Sequence, residues 1–62
     1  MKAKMKDKTL VIYLHDGSRD GWIIGTGFDR YKVTNNALVL MSKSGAWVAW
    51  YNLDDIQKWI VE

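Results

Sequence analysis

The sequence predicts a mostly-β fold. The expected form is a single small barrel or curled antiparallel sheet of four or five strands, with a short helical element near Leu53. Three observations point there. Apolar residues come in runs of only five or six, rich in β-branched and aromatic side chains. Glycine, Asn, Asp and Ser clusters divide those runs. No long segment carries the 3.6-residue period of an amphipathic helix.

Thr9–Leu14 (TLVIYL) reads as the first strand, with Leu10, Ile12 and Leu14 toward the core and Val11 and Tyr13 on the other side. Asp16–Gly21 (DGSRDG) holds two Asp-Gly-type turn signals. Trp22–Phe28 is the next apolar stretch, with Trp22, Ile24, Thr26 and Phe28 in phase. Gly25 and Gly27 on its opposite side suggest a bulge or bend. After Asp29-Arg30 the parity flips to Tyr31 and Val33. Asn35-Asn36 is a turn pair, because Asn tolerates positive φ. Ala37–Ser42 is a strand apolar on both faces. Lys43-Ser44-Gly45 turns it into Ala46–Tyr51 (AWVAWY), a hairpin with a three-residue loop ending in Gly.

The last ten residues have two readings. Asn52 is a good N-cap, Asp54 and Asp55 suit a first turn, and Leu53, Ile56, Trp59 and Ile60 follow a helical spacing. That gives the alternative fold, a four-stranded antiparallel sheet plus a C-terminal helix. The other reading keeps one helical turn at Leu53–Ile56 and then a strand.

Sixty-two residues accommodate one domain. A chain this small buries only about 60% of its unfolded surface, so it needs a staple, a partner or large apolar side chains. No Cys is present, which removes disulfides and thiolate zinc sites. Four Trp, three Tyr and one Phe supply the large side chains. The apolar runs are too short for a membrane span or a signal-peptide core, so a cytoplasmic location is expected. The net charge of +2 is unevenly placed. Residues 1–8 hold four Lys against one Asp, for +3, and read as a loose basic tail. Residues 9–62 hold five basic and six acidic side chains, for −1, and form the domain.

The order TLVIYLHDG … YKVTNNALVLMSKSGAWVAWYNLDDIQKWIVE resembles the small Sm-like or SH3-like β-domains found as hypothetical proteins in phages and mobile elements of Gram-positive bacteria. The most specific part is Tyr51-Asn52-Leu53-Asp54-Asp55-Ile56, where a strand leads through one helical turn. The resemblance implies a final strand at Gln57–Val61 and no characterised activity. The four Trp exceed what such a barrel needs.

Motifs for chemistry are weak. Asp16-Gly17-Ser18-Arg19-Asp20-Gly21 matches the first half of a calcium loop. Position 12 falls on Gly27, which has no carboxylate, and Arg19 brings positive charge, so no metal is expected. His15-Asp16 are adjacent and, in a strand, point to opposite faces, so they do not form a general-base pair. Gly25-Thr26-Gly27 lacks the Lys-Ser/Thr of a phosphate loop. Neither enzyme activity nor a cofactor is expected.

The aromatics are the strongest functional signal. Trp22, Tyr31, Trp47, Trp50, Tyr51 and Trp59 cannot all be interior in so small a domain. Strand alternation places Trp47 and Tyr51 on one face and Trp50 with Val48 on the other. The first expectation is a protein–protein or homo-oligomer contact through an aromatic surface. The alternative is single-stranded nucleic-acid binding by base stacking, with Arg30, Lys32 and Lys43 on the backbone and the basic tail as an arm.

Overall fold

The computed structural model describes residues 8–62, and the expected loose tail lies almost entirely outside them. Among these residues six strands form: β1 (Thr9–Leu14), β2 (Arg19–Ile23), β3 (Arg30–Thr34), β4 (Ala37–Met41), β5 (Trp47–Asn52) and β6 (Ile56–Val61). They build two antiparallel three-stranded sheets, ordered β2-β1-β6 and β3-β4-β5. The fold is therefore mostly β, as expected, but with six strands rather than four or five, and they do not close into a barrel.

Each sheet has an apolar central strand. Leu10 and Ile12 of β1 and Leu38 and Leu40 of β4 are fully buried and share one core with Phe28 and Ile56. Trp22, Tyr51 and Trp59 pack against that core from its margins. A Phe with no exposed surface outside any strand is explained by its neighbour. The Trp22 and Phe28 rings meet edge-on, 6.0 Å apart at 83°.

The connections follow local chemistry. In the β1–β2 turn the Gly17 N–H donates to the Leu14 carbonyl and the Leu14 N–H to the Ser18 carbonyl, with Gly17 at φ +95°. The β4–β5 turn repeats this design at Ser42–Ala46, with Gly45 at φ +94°. Both are three-residue loops whose last position needs left-handed backbone. Asn35 and Asn36, at φ 49° and 58°, make the two-residue β3–β4 turn.

Two expectations at β2 are corrected. Arg19, Asp20 and Gly21 are strand, not turn, pairing with Tyr13, Ile12 and Val11. The strand then stops at Ile23, because Gly25 and Gly27 adopt positive φ and turn the chain toward Phe28. The C-terminal helix of the alternative fold is also absent. Asn52 Oδ1 accepts the Asp54 N–H at 2.8 Å and caps a single 3-10 turn, Leu53–Asp55. Residues Ile56–Val61 then pair with β1, where Ile, Trp and Val suit a pleated surface. The 3-10 turn and the Gly25–Gly27 loop are the two crossings between sheets.

Candidate aromatic and basic surface

Sheet β3-β4-β5 has an inner face on the core and an outer face. Leu38 and Leu40 point inward, so their neighbours Val39 and Met41 point outward. Both outward residues are nonetheless buried, Val39 completely. Each is flanked by a cation on one side and an indole on the other. Val39 lies between Lys32 and Trp50, and Met41 between Arg30 and Trp47. The outer face thus consists of two parallel rows, Lys32–Val39–Trp50 and Arg30–Met41–Trp47. Each row runs from a cation, across a covered aliphatic floor, to an indole. The ends of a row lie about 10 Å apart, two interstrand spacings.

This arrangement corrects the expected partition of the aromatics. Strict alternation would separate Trp47 from Trp50. The register shifts between Leu40 and Met41, so that Leu40 pairs with Ala49 and Met41 with Trp47, leaving Val48 extra on β5. The bulge rotates Trp47 onto the side of Trp50. Tyr51 faces the core instead, opposite Leu38. Trp47 and Trp50 are 57% and 60% exposed, the two most exposed large apolar side chains among the described residues.

The other candidates lie elsewhere. Trp22 and Trp59 are half-buried against the core. Tyr31 is exposed, but it pairs with Leu40 and so lies on the opposite side of β3 from Arg30 and Lys32. Lys43 is exposed in the β4–β5 turn at one end of the face. Val39 and Met41 were not among the expected site residues. Their signal was the run Ala37–Met41, apolar on both faces, which requires a cover on each side.

A groove beside β5 is lined by His15, Asp16, Trp50, Asn52 and Asp55, among others. Asp16, Asn52 and the Asp55 backbone hold its turns together. Asp16 Oδ1 accepts from Ser18 Oγ–H at 2.6 Å and from the Ser18 N–H at 2.8 Å, which holds its carboxyl below the ordinary range. Asn52 caps Asp54, and the Asp55 carbonyl accepts the His15 N–H at 3.0 Å. Among the described residues, no three His, Cys, Asp or Glu side chains gather where a metal could sit, and no polar side chain is buried. No helix among them is long and apolar enough to cross a membrane.

No protein-family model, curated protein or solved structure matches the chain.

Proposed function

We propose that this protein is a small non-enzymatic binding module whose contact surface is the outer face of β3-β4-β5. One observation carries this reading: Trp47 and Trp50 stand more than half exposed on the same face, beside Arg30 and Lys32. Indoles are costly to leave in water and concentrate where proteins meet ligands. The face is an open sheet surface, which suits a macromolecule. In the groove, the Asp16 carboxylate and the Asn52 amide are engaged in turn and cap hydrogen bonds.

The test is association itself, in wild type and in the Trp47→Ala/Trp50→Ala double variant. Sedimentation over a wide concentration range reads a second copy, and titration with a single-stranded oligonucleotide reads nucleic acid. Association that disappears in the double variant, with its fold intact by circular dichroism, supports the proposal. Association equally strong in the double variant contradicts it.

A further inference from the structure

The body of the chain is close to neutral only as a sum. Residues 30–52, which form β3-β4-β5 and its turns, hold Arg30, Lys32 and Lys43 and no acidic residue, for +3. Residues 9–29 and 53–62 hold Arg19 and Lys58 against Asp16, Asp20, Asp29, Asp54, Asp55 and Glu62, for −4. The −1 of the domain is thus the sum of a positive sheet β3-β4-β5 and a negative remainder, whose carboxylates lie mostly outside the strands. The positive pole coincides with the sheet that displays Trp47 and Trp50.

We infer that the occupant of this face is a single-stranded nucleic acid, bound by base stacking on Trp47 and Trp50 and by phosphate contacts to Arg30, Lys32 and Lys43. The inference rests on the contact surface proposed above and names its ligand. A polyanion with unpaired flat bases complements both halves of each row. The indole offers a stacking platform to any base, and the cation at the far end of the row offers charge to the backbone. Paired bases in a duplex present no free face to an indole. A second copy is disfavoured, because two such sheets would each bring +3 and no carboxylate to offset it. The outer face of β2-β1-β6 is no better a complement. Arg19 and Lys58, both paired with Tyr13, lie on it, and the Lys58 Nζ sits 5.0 Å from the Tyr13 ring centre. Of the carboxylates, Asp16, Asp29, Asp54 and Asp55 lie in turns and connections, and Asp20 is bound to Tyr51.

The experiment titrates the full chain with a thymidine oligonucleotide on the order of ten nucleotides long, following Trp emission at several salt concentrations. Expected is quenching at low salt, with log affinity falling against log salt at a slope of about −2, since each single-strand phosphate contact contributes about −0.7. Trp50→Ala should weaken binding roughly 5- to 150-fold, the range set by one lost base stack. Arg30→Gln/Lys32→Gln should flatten the slope by about 1.4. An oligoglutamate peptide is the control anion. Absence of quenching at low salt overturns the inference, as does oligoglutamate binding with equal affinity and no loss in Trp50→Ala. If sedimentation then shows self-association that Trp47→Ala/Trp50→Ala abolishes, the ligand was misassigned and the contact surface stands. If that double variant changes neither measurement, both readings fall.

Discussion

The Trp22 indole N–H donates to the Tyr51 hydroxyl at 2.9 Å, joining β2 to β5 across the two sheets. The same hydroxyl donates to Asp20 Oδ2 at 2.8 Å. β2 and β5 are edge strands of their respective sheets. The phenol therefore fastens one open margin of the sandwich at a place where only part of each ring is buried. It also fixes Tyr51 toward the core, which leaves the outer face of β5 to Trp47 and Trp50.

Tyr51→Phe keeps the ring and removes both hydrogen bonds. A loss of about 1–2 kcal/mol is expected in urea denaturation at neutral pH, since the partly buried indole N–H loses its partner. Burial, then the hydrogen bond to Asp20, raises the Tyr51 pKa above its ordinary 10.0. The fold thus favours the protonated phenol. Its contribution is fully present below about pH 10 and is lost as pH rises through the raised value. The stability difference between wild type and Tyr51→Phe should shrink across that window.

Two glycines separate backbone strain from crowding. A methyl group at Gly45 would meet nothing within 4 Å, yet φ there is +94°. Gly45→Ala should cost about 1–2 kcal/mol from the left-handed backbone alone. Gly21 lies inside β2 with no positive φ, and a methyl group there would sit 3.6 Å from Thr9 Cγ2, an ordinary contact. Gly21→Ala should stabilise by about 0.5–1 kcal/mol. Paired thermal melts check both signs.

Phe28 has no exposed surface and contacts Trp22 edge-on. Phe28→Ala should cost about 3–5 kcal/mol. Total stability for a domain this size is roughly 3–9 kcal/mol, so circular dichroism should show the variant largely unfolded at room temperature or melting far below wild type.

The four indoles should divide into two classes in acrylamide quenching. Trp47 and Trp50 are open to the quencher, whereas Trp22 and Trp59 are shielded by the core margin. Trp47→Phe/Trp50→Phe should leave only the slowly quenched class.

Much of this architecture was readable from local chemistry. Thr9–Leu14, the Asn35-Asn36 turn, the Lys43-Ser44-Gly45 loop and the helical turn after Asn52 each carry a signal that works over a few residues. What could not be read depends on long-range pairing. Nothing in AWVAWY marks Val48 as the extra residue. The bulge is set by the register against Leu40 and Met41, and it alone brings Trp47 beside Trp50. Likewise, Arg19-Asp20-Gly21 looks like a turn by composition. Pairing with β1 and the tie from Asp20 to Tyr51 make it a strand. The positive charge of β3-β4-β5 was hidden in the same way, since it appears only once residues 30–52 are known to form one sheet.

The most direct test of the contact surface is amide chemical-shift mapping by two-dimensional NMR during titration with the single-stranded oligonucleotide. Perturbations should concentrate at Arg30, Lys32, Val39, Met41, Trp47 and Trp50, with the two exposed indole N–H signals moving most. Perturbations centred on β2-β1-β6, or a spectrum that does not change at low salt, would contradict the proposed surface.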